Sequence, residues 1–173
     1  MKFILISGER GTGKTTISKN VAKGLGYNYY TDYDIINRVG IKHGEKKVNN
    51  ARDISIGLYR KFFSEHKNEN IVVDAETSIL PSQVKVLQKE FDIDAVFLGF
   101  YGISETSLFE QLKSKHKDMQ DDEIKNWACG LLELGVKVKF LCEEENIKFQ
   151  PINYNRVSVI EELSQELIIK YKY

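Results

Sequence analysis

The chain holds 173 residues with 25 basic and 25 acidic side chains, three His, a formal net charge of zero and 42% hydrophobic content. That length suits one compact domain that buries a core without disulfides or metals. The neutral balance excludes a basic nucleic-acid arm or an acidic solvating tail as the main feature. Charge is nonetheless uneven: residues 1–69 hold 13 of the basic side chains and 7 of the acidic ones, leaving the acidic excess to residues 70–173.

Phe3-Ile4-Leu5-Ile6 is a continuous apolar run ending in a Gly-rich turn, as expected of a strand buried on both faces. Ile17, Val21 and Leu25 recur at four-residue spacing and predict a helix from about Lys14 to Gly24 or Gly26. Tyr27 to Thr31 reads as a second strand, Asp32 to Lys42 as helix and Gly40 to Asn50 as a polar loop. Ile54, Leu58 and Phe62 mark a helix that stops before Asn68, and Ile71-Val72-Val73 the third strand. Pro81 opens a helix carrying Val84, Leu87 and Phe91. Ala95 to Phe100 is the fourth strand, and Ser104 caps a helix with Leu108, Phe109 and Leu112. Ile124, Trp127, Leu131, Leu134, Val138 and Leu141 step by three and four along a long helix, with Asp121 or Asp122 as its cap. Ile147 to Ile152 is the fifth strand, and Ser158 with Glu161 makes a capping box for a last helix.

Five strands alternating with helices predict an α/β fold of three layers, α/β/α, around a five-stranded parallel sheet with right-handed crossovers, in one domain over residues 1–173. Ligands of such sheets sit at the carboxyl ends of the strands, which selects segments 7–15, 31–38, 74–81, 101–118 and 152–157.

Cys129 and Cys142, thirteen residues apart in a helical pattern, read as buried thiols of a cytoplasmic protein. The N-terminal apolar run is too short for a signal peptide, and no stretch approaches the roughly 20 apolar residues that span a bilayer. No membrane partner is expected, and nucleic acid is disfavoured by the neutral charge. His43 and His66 stand in polar surroundings and are expected at the surface.

Gly8-Glu9-Arg10-Gly11-Thr12-Gly13-Lys14-Thr15 matches G-x-x-x-x-G-K-[ST] and lies between a predicted strand and a predicted helix, the setting the motif requires. Its glycines let backbone N–H groups turn toward phosphate oxygens, and the helix N-terminus adds its dipole. Lys14 is placed to reach the β- and γ-phosphates, and the Thr15 hydroxyl to ligate Mg²⁺. Gly8, Arg10, Gly11, Thr12, Gly13, Lys14, Thr15 and Thr16 are therefore the expected nucleotide contacts.

The segment resembles the P-loop of the small-molecule and nucleotide kinases, the group of adenylate, cytidylate, shikimate and dephospho-CoA kinases. The element order resembles that group along the whole chain. There is no N-K-x-D guanine motif and no L-S-G-G-Q signature. The resemblance implies ATP and Mg²⁺ as cofactors, and ATP/ADP plus a small anionic acceptor as partners.

Asp32-Tyr33-Asp34 after the second strand resembles a segment of shikimate and dephospho-CoA kinases in which one Asp serves the Mg²⁺ shell and the other meets the acceptor. Independently, a carboxylate near the γ-phosphate can orient metal waters or take the acceptor's proton. Arg38, one turn after Asp34, can bind an anionic acceptor through its fork. The competing reading makes Asp32 a helix cap and Asp34–Arg38 a surface pair. Arg52, and less strongly Arg60, lie where nucleotide kinases carry acceptor-binding helices.

Asp74 ends the third strand where a Walker-B-type acid would hold a Mg²⁺ water, and Glu76 is a candidate base or acceptor contact. The alternative is a carboxylate that caps the turn. Ala75-Glu76-Thr77-Ser78 departs from the Gly-rich turn of shikimate kinases and from the Gly-Arg or Gly-x-Pro of nucleoside-monophosphate kinases, so the resemblance assigns no acceptor.

Kinases of the group close a lid whose arginines neutralise the transferring phosphoryl. No Arg occurs between Arg60 and Arg156, and the candidate lid at about 113–122 offers Lys113, Lys115, His116 and Lys117 instead. Lysines, or Arg10 of the phosphate loop, would have to substitute; a solvated helix end is the other reading. Arg156 follows the last strand, where related kinases cradle adenine, and is expected to meet the base or a phosphate.

The expectation is an ATP-dependent phosphotransferase serving a nucleotide or small metabolite, a monomer or homodimer. Lys14, Asp34 and Asp74 are its catalytic candidates, and Thr15, Asp32 and Asp74 its metal candidates. Asp32, Asp34, Arg38, Arg52 and Glu76 are its acceptor candidates. A non-catalytic ATP-binding regulator is the alternative.

Overall fold

A computed structural model describes residues 1–40, 56–76, 79–153 and 156–172. The elements run β1 (Phe3–Gly8), α1 (Lys14–Leu25), β2 (Asn28–Thr31), α2 (Asp32–Ile35), one wide π turn (Ile36–Gly40), α3 (Ile56–Glu65), β3 (Ile71–Ala75), α4 (Pro81–Leu87), β4 (Ile93–Phe100), α5 (Glu105–Lys115), α6 (Asp121–Glu145), β5 (Lys148–Ile152) and α7 (Arg156–Lys172). The five strands form one sheet in the order β2-β3-β1-β4-β5, and every neighbouring pair is parallel. The three-layer α/β/α expectation holds.

β1, buried along its whole length, lies at the centre of the sheet. Its alternate side chains feed two separate cores, as the period of a strand requires. Phe3 and Leu5 join α3, α4 and the second half of α6 on one face. Ile4 and Ile6 join α1, α5, the first half of α6 and α7 on the other. The 25-residue α6 serves both cores by crossing the end of β4, where Gly135 packs on the Phe100 carbonyl so closely that a Cβ would collide with it. No helix among the described residues is long and apolar enough to cross a membrane.

α3 docks through Leu58, Tyr59, Phe62 and Phe63, all buried. Phe63 meets Phe3 at 4.6 Å between ring centres and Phe91 at 5.7 Å. Such tilted aromatic pairs contribute about 0.5–1.5 kcal/mol each beyond the area they bury. This anchoring fixes where Tyr59 stands.

Several local expectations change. α4 ends at Leu87, and Phe91 reaches the same core from the turn beyond it. α6 is capped by Gln120, whose N–H donates to Glu123 at 3.1 Å, while Asp121 and Asp122 occupy its first turn. There they still complement the helix dipole. α7 begins at Arg156, so Ser158 lies inside the helix instead of capping it. Cys129 is only half-buried, whereas Cys142 is buried. His66 is half-buried, not exposed, because its ring packs on Phe62 at 4.4 Å and Tyr30 at 5.5 Å. Gly40, the expected start of a polar loop, ends the π turn, and residues 41–50 of that loop, His43 among them, lie outside the described residues.

Candidate active site

The phosphate loop follows β1 directly. Gly11 and Gly13 take φ angles of 93° and 94°, a left-handed conformation that a side chain would strain. Gly13 also lies against Ile160 of α7, leaving no room for a Cβ. Thr12 is buried, and its hydroxyl donates to the Glu9 carbonyl at 2.7 Å while its N–H reaches the same oxygen at 3.2 Å. These bonds close the loop so that α1 opens at Lys14. Lys14 is buried, with an ion pair to no carboxylate among the described residues. Thr15 and Thr16 are exposed on the first turn of α1.

Glu9 is the residue that sequence reasoning missed. It is only 4% exposed, neither carboxyl oxygen has a hydrogen-bond partner, and burial alone pushes its pKa up to about 8. Nothing in the motif marks that position as buried, since it is one of the four unconstrained ones.

The two acidic clusters at the carboxyl ends of β2 and β3 prove different in kind. Asp74 is buried and aligned with Ile6 of β1 and Thr31 of β2. By strand alternation it shares its face with Val72 and Tyr29, the face packed by α1. The Tyr29 hydroxyl donates to Asp74 Oδ2 at 3.0 Å, and Oδ1 is buried without a partner. Burial first, then the Asp74 charge and this bond, push the Tyr29 hydroxyl pKa up, so it remains a donor.

Asp32 lies on the opposite side, buried at 3% exposure. It accepts the Tyr59 hydroxyl on Oδ1 and the Glu76 N–H on Oδ2, the latter at 2.7 Å. It does not cap α2; Thr31 does. The Thr31 hydroxyl accepts from the Asp34 N–H at 3.2 Å, and Asp34 Oδ2 accepts from the Thr31 N–H at 2.8 Å and its hydroxyl at 2.7 Å. One Asp34 oxygen is thus engaged in a capping box. Arg38 is exposed, with its guanidinium 4.9 Å from the Tyr30 ring centre. Arg60 turns away from the site into a two-pronged pair with Glu90, its Nε at 2.9 and 3.0 Å and its Nη2 at 2.9 Å. Arg52 lies outside the described residues. The Glu76 carbonyl accepts the Ser7 hydroxyl at 3.0 Å, so the backbone there is tied on both sides while the residue itself stays exposed.

A cavity of about 300 Å³ opens beside the phosphate loop, and its walls include Arg10, Gly11, Lys115, His116, Trp127 and Arg156. Among the described residues no carboxylate lines it. Arg156 reaches it from the first turn of α7, its Nε 3.7 Å from where a Gly13 Cβ would stand. Burial, then the Arg156 charge, lower the Lys115 pKa. The candidate lid divides: Lys113 pairs with Asp121 at 2.7 Å, Lys115 faces the cavity, and His116 meets Trp127 edge-on at 5.0 Å. Only residues 116–120 lie between α5 and α6.

Three cations around one cavity, with no anion among its described lining residues, repel each other and are relieved by an anionic ligand. Among the described residues no group of three or more His, Cys, Asp or Glu is arranged to hold a metal unaided. The unpartnered Asp74 Oδ1 and the exposed Thr15 hydroxyl are hard oxygen donors of the kind Mg²⁺ takes when phosphates supply its other ligands.

No family model matches the chain. A protein named "Putative adenylate kinase" from Thermococcus gammatolerans is 35% identical over 78 residues, 44% of this chain and 42% of that protein, so the match spans less than half of the relative. A gluconokinase from Sinorhizobium meliloti 1021 superposes with a TM-score of 0.58 at 17% identity, covering 99% of this chain and 94% of that one. A shikimate kinase from Bacteroides thetaiotaomicron gives 0.56 at 19% identity, covering 99% and 98%. In its sheet order, its phosphate loop and these likenesses, the chain has the fold of the P-loop nucleotide and small-molecule kinase group.

Proposed function

We propose that the protein is an ATP-dependent phosphotransferase that moves the γ-phosphoryl of ATP, with Mg²⁺, to a small anionic acceptor, a nucleotide or small metabolite. The observation that carries this reading is the set of three cations, Arg10, Lys115 and Arg156, around a cavity contiguous with the phosphate loop and lined by no carboxylate among the described residues. A polyphosphate chain is the ligand that suits both features. The kinase names of the relatives support the reaction class without choosing an acceptor.

In this reading the backbone N–H groups of Gly8 to Thr15 and the N-terminus of α1 hold the phosphates. The buried Lys14 ammonium, paired with no carboxylate among the described residues, spends its charge on the β- and γ-oxygens. Mg²⁺, held by phosphate oxygens, Thr15 and Asp74, would neutralise the developing charge. Arg10, Lys115 and Arg156 surround the transferring end, so cations from the loop, α5 and α7 together take the place of lid arginines. That arrangement removes the motive for a non-catalytic reading. The acceptor enters over α2 and α3, where Asp34, Arg38 and Glu76 face solvent or are half-buried. Catalysis there is positioning and charge neutralisation. Two free thiols suit a reducing cytoplasm.

The test is ADP formation followed in a coupled assay across nucleoside monophosphates and small hydroxylated anions. Stimulation by one class above the background ATPase rate is expected. ADP formation that no acceptor accelerates would contradict the proposal.

A further inference from the structure

Asp32 and Asp74, the two buried aspartates among the described residues, are chemically equivalent in the sequence and different in the fold. Asp74 stands on the α1 face of the sheet with one oxygen unpartnered. Asp32 stands on the α3 side, where Tyr59 of that helix is fully buried in the opposite core. Both oxygens of Asp32 already accept from protein donors, Tyr59 from α3 and the Glu76 N–H from the end of β3. A metal or its water would have to share an Asp32 oxygen with a buried donor, whereas Asp74 Oδ1 carries none.

The same bonds do something specific. The Glu76 peptide is held through its N–H by Asp32 and through its carbonyl by Ser7, one residue before the phosphate loop. Asp32 therefore joins three things: the end of β2, the helix α3 along the acceptor side, and the backbone that carries the exposed Glu76. A carboxylate held this way keeps a reacting group in register without touching substrate, the arrangement by which supporting residues orient a site.

We propose that Asp32 is a positioning residue that sets the Glu76 turn and α3 against the phosphate loop, and that it does not serve the nucleotide's metal, which falls to Asp74. This rests on the phosphotransfer reading above for its catalytic consequence, but its structural half stands alone.

Three measurements on the whole protein test it, using Asp32→Ala, Asp32→Asn, Tyr59→Phe and Asp74→Asn. In amide hydrogen exchange, Asp32→Ala should speed exchange around Glu76 and across α3 and leave residues 8–20 as protected as in the parent. In binding of a fluorescent ATP analogue, the Mg²⁺ concentration at half-saturation should stay within about twofold for Asp32→Asn and rise about tenfold or more for Asp74→Asn. In acceptor-dependent turnover, Asp32→Ala should lose about 100-fold, mostly in kcat/KM for the acceptor. Asp32→Asn, which keeps an acceptor for the Glu76 N–H, should regain at least about tenfold of that.

Unchanged exchange around Glu76 in Asp32→Ala would overturn the proposal. So would a Mg²⁺ shift in Asp32→Asn as large as that of Asp74→Asn. Should Asp32→Ala fail to fold, Tyr59→Phe breaks the same contact from the other side and must speed exchange in α3 for the proposal to hold. A parent protein that transfers no phosphoryl group would sink the phosphotransfer reading alone, because exchange needs no turnover.

Discussion

The Tyr29 hydroxyl donates to Asp74 Oδ2 at 3.0 Å, while Asp74 Oδ1 is buried and accepts from no group. A tyrosine on the neighbouring strand thus fixes the carboxylate's rotamer and leaves one oxygen for a ligand. Tyr29→Phe removes a hydrogen bond to a charged group, worth about 1.5–3 kcal/mol. At this chain length the melting temperature should fall by roughly 3–12 °C in differential scanning fluorimetry. The Mg²⁺ required for ATP-analogue binding should rise as well. An unchanged melting temperature would show that the bond contributes nothing.

Glu9 makes stability depend on pH in a direction set by its burial. Its ordinary pKa of 4.5 becomes about 8 in the fold. Between those values the folded protein keeps a proton that the unfolded chain releases. The stabilising contribution is therefore fully present below about pH 4.5, declines as pH rises toward about 8 and is level above it. Glu9→Gln cannot ionise, so its melting temperature should gain on that of the parent steadily from pH 5 to pH 8. Parallel curves for the two proteins across that range would contradict the assignment.

Arg10, Lys115 and Arg156 line one cavity that has no carboxylate among its described lining residues. Removing any one of these charges by substitution with Met should weaken ATP binding by about tenfold, the size of one charge-assisted contact. The weakening should shrink as salt is raised. Lys113→Met is the control, because Lys113 pairs with Asp121 on the surface and should leave affinity unchanged. Isothermal titration calorimetry at two salt concentrations separates these outcomes.

Gly135 is where α6 passes the end of β4. Gly135→Ala places a methyl group on the Phe100 carbonyl, a backbone atom that cannot rotate away. Overpacking of this kind costs about 1–3 kcal/mol, and the melting temperature should fall by roughly 2–12 °C. Gly130 of the same helix has open space around a Cβ, so Gly130→Ala should stabilise slightly. Chemical denaturation of both variants checks the contrast.

Much of the fold was legible because its signals are local. The buried runs at Ile4–Ile6 and Ile71–Val73, the three-and-four stepping of Ile124 to Val138, and the phosphate loop between strand and helix each declare themselves within a dozen residues. What escaped depends on distant partners. No periodicity reveals that Tyr59 meets Asp32, that Tyr29 meets Asp74, or that Arg60 is taken by Glu90. Those pairings exist only once β2, β3 and α3 are set side by side. Ser158 and Glu161 fit a capping box by spacing, yet α7 already begins at Arg156. The burial of Glu9 escaped for a different reason: the motif constrains its glycines, Lys14 and Thr15, and is silent about the residue between Gly8 and Arg10.

The most direct measurement follows the label itself. ATP carrying a radioactive γ-phosphate is incubated with the protein, Mg²⁺ and each acceptor in turn, and the products are separated. Label should appear in one class of small anionic acceptor, and Lys14→Ala should reduce that transfer by about 100-fold or more. Label found only in inorganic phosphate, or transfer unaffected by loss of Lys14, would contradict phosphotransfer at this site.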